Sequence, residues 1–424
     1  MLEINKIKHD PKHVVTNLKK RGIDVNEDID NILELNKQRI KNQKQLDTLL
    51  NEGNQIAQMI PKMVKENKTN EIKTLKGRAG VIKNKSKKLI DFGKKIAEEI
   101  KDRLITIPNI PHASVPEGTS DQDNLIVSEW GEDLELNDDL RPHWELAEKY
   151  DIIDFKKGAQ ITGSGFPVYK GFGAKLQRGL INFFLDYNSD AGYHEYIPPY
   201  FINEKSAFNT GQIPDKEGMM YHINQDQLYA IPTAEVPITN IFSNSRFNEN
   251  QLPIKCTAYS PCFRREAGSY GKGVRGLNRL HQFDKVEIVE ICSPNKSYEI
   301  LKSMIEHVSR LLKKLELKFR IIQLCGGDLG FTAAITYDFE VYSPAQKKWL
   351  EVSSVSNFET YQANRLNLKC VKKDKKTVLC HTLNGSSLAL PRVMAAILEQ
   401  NQTKEGIIIP KILSKYLNFD KITI

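Results

Sequence analysis

Apolar residues in the first hundred positions recur at alternating steps of three and four. One seam runs through Ile32, Leu35, Arg39, Asn42, Leu46, Leu49, Gly53, Ile56, Ile60 and Met63. A second runs through Ile72, Leu75, Ala79, Ile82, Ser86, Leu89, Gly93, Ile96 and Ile100. Most of these positions are apolar, and a 3.5-residue spacing held over several heptads predicts two helices pairing along a coiled-coil seam. Residues 65–70 between the seams are polar and few, so the helices are expected to run antiparallel as a hairpin covering about residues 30–104. At about 1.5 Å per residue each helix would extend roughly 50 Å. Pro61 is expected to kink or end the first helix near its tip.

The pattern then changes. Pro108 and Pro111 close the arm, because each biases its predecessor away from helix. A linker containing Gly and Asp follows to residue 124. Beyond it, strand-like runs at 228–231, 256–263, 277–291 and 319–324 alternate with helical ones. An amphipathic helix over 295–315 puts Leu301, Ile305, Val308, Leu312 and Leu315 on one face. Two strand–loop–strand units, 256–266 with 278–291 and 336–342 with 348–355, imply a largely antiparallel sheet with helices against it. The expected fold class is α+β: a helical hairpin in residues 1–106, a linker over 107–124, and a sheet domain over 125–424.

Charge sharpens this division. The chain of 424 residues has a net charge of +8, enough length for two or three domains, and an uneven distribution of lysine. Residues 36–104 hold 18 Lys and Arg against 8 Asp and Glu, while the rest of the chain is close to balance. A local surplus of this kind is the footprint of a polyanion partner. A spacer coiled coil with solvated lysines would carry the same surplus, so the arm alone leaves its role open. No run of eighteen apolar residues is present, which excludes a membrane-spanning helix. The polar N-terminus has neither an apolar core nor an acid-poor composition, so a cytoplasmic protein is expected. Six cysteines without a CxxC pair point to buried, idle thiols and to no zinc.

The Gly-rich loops that usually cradle phosphates, GxxxxGK[ST] and GxGxxG after a strand, are missing. The other device for a polyphosphate is arginines on a rigid sheet, helped by acids that hold Mg²⁺. Phe263, Arg264, Arg265 and Glu266 end one predicted strand before a Gly-rich loop over 267–276. The returning strand contains Arg279, His281, Phe283 and Glu287, whose alternation points the odd positions to one face. Glu351, Val352, Ser353 and Ser354 lie on a later strand, and residues 384–392 open a helix. Singly, each has an ordinary structural explanation: Phe283 as core, His281 as a structural histidine, Glu287 and Glu351 as surface acids.

Taken in order, these segments carry a resemblance. The Phe263–Glu266 quartet looks like motif 2 of class II aminoacyl-tRNA synthetases. The run from Tyr193 to Pro199 is similar to motif 1, and the segment reaching Arg392 resembles motif 3. With Thr210, Gly211 and Gln212, Thr233, Ala234 and Glu235, the strand from His281 to Glu287, and Asn384 to Ser386, the whole chain resembles the seryl-tRNA synthetases of bacterial type. In that family the basic hairpin holds the long variable arm of the tRNA.

The resemblance implies site residues. ATP would be held by Arg264, Arg265, Glu266, Arg279, Phe283, Glu351, Val352, Ser353, Ser354 and Arg392, with Mg²⁺ on Glu351 and Ser354. Arg264 and Arg392 would be the catalytic cations. L-serine would be held by Thr233, Ala234, Glu235, Arg264, Glu287, Asn384 and Ser386. Lys272 and Arg275 would meet the acceptor end of tRNA. The implied partners are tRNA(Ser), with selenocysteine tRNA left open, and a second copy of the chain in a homodimer. Two departures from the family pattern, Ser387 and Pro391, stand where glycines are usual. Pro391 suits the start of a helix, and Ser387 is expected to narrow the serine pocket. Two alternatives compete: a small-amino-acid activating enzyme that loads a carrier protein, which should lack the arm, and a non-catalytic RNA-binding paralogue. The paralogue should have lost some of Arg264, Glu266, Glu351 and Arg392, and all four are present.

Overall fold

The structure is a computed structural model of the chain and describes all of it except residues 134–138, 216–217 and 267–273. The chain divides into two units, residues 2–16 with 24–108, and residue 1 with 17–23 and 109–424.

In the first unit, helix α1 (Asn26–Lys65) and helix α2 (Thr69–Thr106) form the hairpin that the two seams predict. All nine positions of the second seam are buried or half-buried, as are nine of the ten in the first; Arg39 is the exposed exception. Pro61 does not end α1, which runs four residues further to Lys65. A proline this close to a helix end disturbs little. The interface carries a polar layer where Asn42 is buried and its Nδ2 donates to the Leu89 carbonyl at 2.9 Å, and Ser86 is buried one heptad from Gly93. Gly93 makes room for the Asn42 amide, since a Cβ there would stand 2.9 Å from its nitrogen. Near the tip Arg78 Nε meets Glu52 Oε1 at 2.6 Å across the two helices.

The second unit is built on an eight-stranded sheet. Its strands are β1 (Leu125–Trp130), β2 (His194–Tyr196), β3 (Ile254–Phe263), β4 (Gln282–Cys292), β5 (Phe319–Gln323), β6 (Ile335–Ser343), β7 (Lys348–Glu359) and β8 (His381–Ala389). They lie in the order β1-β5-β6-β7-β8-β4-β3-β2. Every neighbouring pair is antiparallel except β2 with β3. The α+β expectation therefore holds, with hairpins β3–β4 and β6–β7 as the pattern predicts. Three helices, α3 (Phe172–Asp190), α5 (Ser297–Lys314) and α7 (Leu390–Gln400), bury apolar faces against the sheet. Val286 and Ile288 of β4, Val355 of β7 and Leu383 of β8 join this core. Their alternate neighbours Phe283, Lys285, Glu287, Ser354, Ser356, Asn384 and Ser386 line a cleft instead. The period-two alternation of a strand thus assigns one face to stability and the other to chemistry. Of two short helices, α4 (Glu235–Ile241) sets its first residue in the cleft wall, and α6 (Thr360–Leu366) follows β7 directly.

Residues 17–23 belong to the sheet unit. Arg21 donates to the carbonyls of Asn109 (2.9 Å), Leu329 (2.7 Å) and Ala333 (2.6 Å). Burial pulls its guanidinium down to about 10, and these carbonyls are what keeps the buried cation solvated.

Candidate active site

The cleft encloses about 440 Å³ and joins two chemically distinct ends. At one end sit carboxylates. Glu235, the first residue of α4, is buried, and its amide donates to Thr233 Oγ1 at 3.2 Å. Thr233 Oγ1 in turn donates to Glu287 Oε2 at 3.2 Å, and Lys285 Nζ lies 2.7 Å from the same oxygen. Burial, and then the neighbouring Glu287 carboxylate, push the Glu235 carboxyl up to about 7. The end therefore gathers more negative charge than its own residues neutralise, which suits a cationic group of a ligand.

At the other end sit arginines. Arg264 follows β3, with its guanidinium carbon 5.3 Å from the centre of the Phe283 ring. Its amide is fixed by the His281 carbonyl at 2.9 Å. Arg279 Nε lies 2.9 Å from Glu266 Oε2. Arg392, near the start of α7, donates to the carbonyls of Asn278 at 2.9 Å and Glu351 at 2.8 Å. Phe283 lines the cleft between these ends, half-buried, where a flat ring can stack.

Glu351 and Ser354 share the cleft wall although strict alternation would point them to opposite faces. A bulge resolves this. Phe339 of β6 faces Ser353, while the next residue, Glu340, faces Glu351, so Val352 is the extra residue. The bulge also explains why Ser353 turns away: its Oγ is buried and donates to the Ser386 carbonyl at 2.6 Å. The Ser354 hydroxyl donates to Asp338, whose buried carboxyl is raised well above the ordinary range, first by burial and then by Glu351.

Other expected site residues lie elsewhere. Arg265 does not line the cleft; its amide donates to the Met219 carbonyl at 2.8 Å. Ala234 is buried between Thr233 and Glu235. His281 precedes β4 and leaves the row of odd positions: its Nδ1 is 2.7 Å from the Tyr221 hydroxyl, and its ring stacks on Phe166. Arg275 lies over the Trp144 ring at 4.9 Å and lines a second cavity. Lys272 lies outside the described residues. Ser387 does not narrow the cleft. As the neighbour of Ser386 on a strand it points to the opposite face, where it is buried and donates to Asn188 Oδ1 at 2.8 Å. Pro391 is the second residue of α7 and lines the cleft.

Residues that sequence reasoning passes over complete the walls. Lys285 is legible as the alternate between Phe283 and Glu287. Gln212 and Asp215 come from a loop in which Asp215 accepts from the amides of Met219 and Met220, both at 2.9 Å. The segment returning to the cleft after residue 273 is anchored by His143. Leu277 donates its amide to His143 Nε2 at 2.8 Å, and His143 Nδ1 lies 2.7 Å from Glu399. Gly276 has φ 68, and a Cβ there would stand 2.3 Å from His143 Nε2, so only glycine fits. Among the described residues no cluster of three or more His, Cys, Asp or Glu could hold a metal ion. The oxygens of Glu351 and Ser354 instead fit a hard cation shared with phosphates, which needs only one or two protein ligands.

Comparison with known proteins agrees with this geometry. Residues 1–111 match the seryl-tRNA synthetase N-terminal domain, and residues 220–401 match the tRNA synthetase class II core domain (G, H, P, S and T). The serine--tRNA ligase of Salinibacter ruber is 44% identical over 424 residues, covering 100% of this chain and 99% of its own. That of Caldicellulosiruptor bescii is 43% identical over 429 residues, with both chains covered at 100%. Among solved structures, seryl-tRNA synthetase from Pyrococcus horikoshii complexed with ATP superposes with a TM-score of 0.92 at 33% identity, covering 100% of this chain and 99% of that one. With similarity running from the helical arm to the last strand of the sheet, the chain belongs to the seryl-tRNA synthetase family.

Proposed function

We propose that the protein activates L-serine with ATP, forming seryl-adenylate and pyrophosphate, and then transfers serine to the 3′-terminal adenosine of tRNA(Ser). One observation carries this reading: a single cleft joins two cationic side chains, Arg264 and Arg392, to two buried carboxylates, Glu235 and Glu287. Such a cleft can hold a polyphosphate at one end and an amino acid at the other.

In this reading Phe283 stacks on adenine and Glu266 accepts a hydrogen bond from its amine. Arg264 bridges the α-phosphate and the serine carboxylate, neutralising charge that grows as the carboxylate oxygen attacks phosphorus. Arg392 holds the γ-phosphate and favours departure of pyrophosphate. Glu351 and Ser354 would hold Mg²⁺, which supplies charge neutralisation on the phosphates. Thr233 and Glu235 take the serine ammonium, while Glu287 and Ser386 face its hydroxyl. A site built to bond a hydroxyl rejects alanine strongly, because its buried polar groups would go unpaired. Positioning and electrostatics supply most of the catalysis, as in other transfers at phosphorus.

Residues 1–106 are the tRNA-binding part, 107–124 the linker and 125–424 the catalytic part. Lys272 and Arg275 meet the acceptor end. A homodimer through the motif 1 segment is supported by Ile197, which is apolar yet 84% exposed just past the edge strand β2. Among the described residues no helix is long and apolar enough to cross a membrane. The protein is assigned to the cytoplasm.

Purified protein should show serine-dependent ATP–pyrophosphate exchange, and aminoacylation of total tRNA with a panel of amino acids should favour serine. Absence of exchange with serine, alanine and threonine alike would overturn the reading. Its pH dependence is a separate expectation. With the Glu235 carboxyl pushed up to about 7, the empty cleft is protonated there below that pH and cannot pair with an ammonium. The KM for serine should therefore rise as pH falls from 8 to 6, approaching tenfold per unit below 7, with the KM for ATP unchanged. A flat serine KM across that range would contradict the assignment of Glu235.

A further inference from the structure

Glu235 depends on a residue that lies far from it in sequence. Gln362, on α6, is 1% exposed and donates Nε2 to Glu235 Oε1 at 2.7 Å and to the Thr210 carbonyl at 3.3 Å. Its Oε1 accepts from the Thr382 hydroxyl at 2.7 Å. The amide can point only one way. Two acceptors, the Glu235 carboxylate and the Thr210 carbonyl, lie on its nitrogen side, so a flipped amide would set oxygen against oxygen. Thr382 then donates to the remaining oxygen and locks the orientation.

Gln362 does not line the cleft. We propose that Gln362, oriented by Thr382, is a positioning residue for amino-acid recognition: it holds the Glu235 carboxylate ionised and aimed at the substrate ammonium. This rests on the reading of Glu235 as the ammonium acceptor. The need for such a residue is electrostatic. Glu235 is buried and faces Glu287, which disfavours its charge; Gln362, Lys285 and Asn384 oppose that. Lys285, however, is already 2.7 Å from Glu287. Gln362 places a donor directly on the Glu235 carboxylate, with Asn384 adding a lesser one, and a neutral donor supports that charge without competing for it as a cation of the protein would.

The test is steady-state ATP–pyrophosphate exchange with L-serine between pH 6 and 8.5, on the full chain and three variants. Gln362→Ala removes a hydrogen bond to a buried charge and should raise the serine KM about tenfold to hundredfold at pH 7, with the ATP KM unchanged. Because ionised Glu235 loses a donor, its inflection moves to higher pH, so the defect should shrink as pH rises to 8.5. A packing defect would not be relieved by pH. Thr382→Val keeps the shape and removes only the orienting hydroxyl; it should raise the serine KM several-fold in the same pH-dependent way, and it carries the test if Gln362→Ala fails to fold. Glu235→Gln separates the two levels. If Glu235→Gln leaves the serine KM unchanged, the Glu235 reading fails. If it raises the KM while the Gln362 and Thr382 variants leave it unchanged, or raise it equally at all pH, the positioning role alone is overturned.

Discussion

Replacing Arg264 by alanine should lower serine-dependent ATP–pyrophosphate exchange by about 10²–10³-fold, close to 3–4 kcal/mol of transition-state stabilisation. The loss should fall mainly on kcat, since charge at the α-phosphate grows on the way to the transition state. Folding should be little affected. The guanidinium contacts the Phe283 ring, while the backbone bond to the His281 carbonyl survives truncation. Arg264→Lys should recover only part of the activity, because a point charge cannot span two anionic groups as a planar fork does. Arg392 is a less clean target. Its donors also hold the carbonyls of Asn278 and Glu351, so truncation would loosen the nucleotide end as well as remove charge. A drop below tenfold in Arg264→Ala would remove Arg264 from the reaction.

Neutralising one face of the arm should do the reverse, sparing exchange and damaging tRNA charging. Lys76, Lys83, Lys87 and Lys94 of α2 are exposed. Their steps of seven and four confine them to a sector of roughly 40° at about 100° per residue, to one side of the buried seam. A stripe spaced this way can follow a nucleic-acid backbone, where each neutralised phosphate releases counterions. Changing all four to alanine should lower kcat/KM for tRNA about a hundredfold at physiological salt. It should also flatten the logarithmic salt dependence, by about one unit of slope for each phosphate left without its lysine. Removing residues 36–104 should abolish charging and leave exchange intact. Equal charging by the quadruple variant would return these lysines to plain solvated surface.

Much of this is legible in the sequence. The helical hairpin follows from its spacing alone, since a 3.5-residue repeat has few other solutions, and the exposed Arg39 is the single departure. The sheet hairpins and the cleft-facing alternation of β4 follow from period two, whereas residues 384–392 read as the opening of a helix and instead finish strand β8 at Ala389, with α7 starting at Leu390. The remainder depends on pairing between distant segments. The bulge opposite Phe339 and Glu340 puts Glu351 and Ser354 together and turns Ser353 away, and no local pattern announces it. The place of Ser387 beside Ser386 suggests the serine pocket, whereas its side chain answers to Asn188, far upstream. Gln362 and Thr382 sit in ordinary-looking segments and meet Glu235 only in the folded chain. Lys285 is within reach of the same alternation that picks out Phe283 and Glu287.

The buried Asn42 on the arm has a consequence for how such an arm can change. Its amide needs the Leu89 carbonyl beside it and the space opened by Gly93. Sliding one helix by a heptad would keep the apolar seam matched but strand this amide against a different, bulkier layer. Insertions or deletions are therefore tolerable only as whole heptads made in both helices at once, on the same side of that layer. The reach of the arm is then a counted quantity, adjustable in steps of about 10 Å.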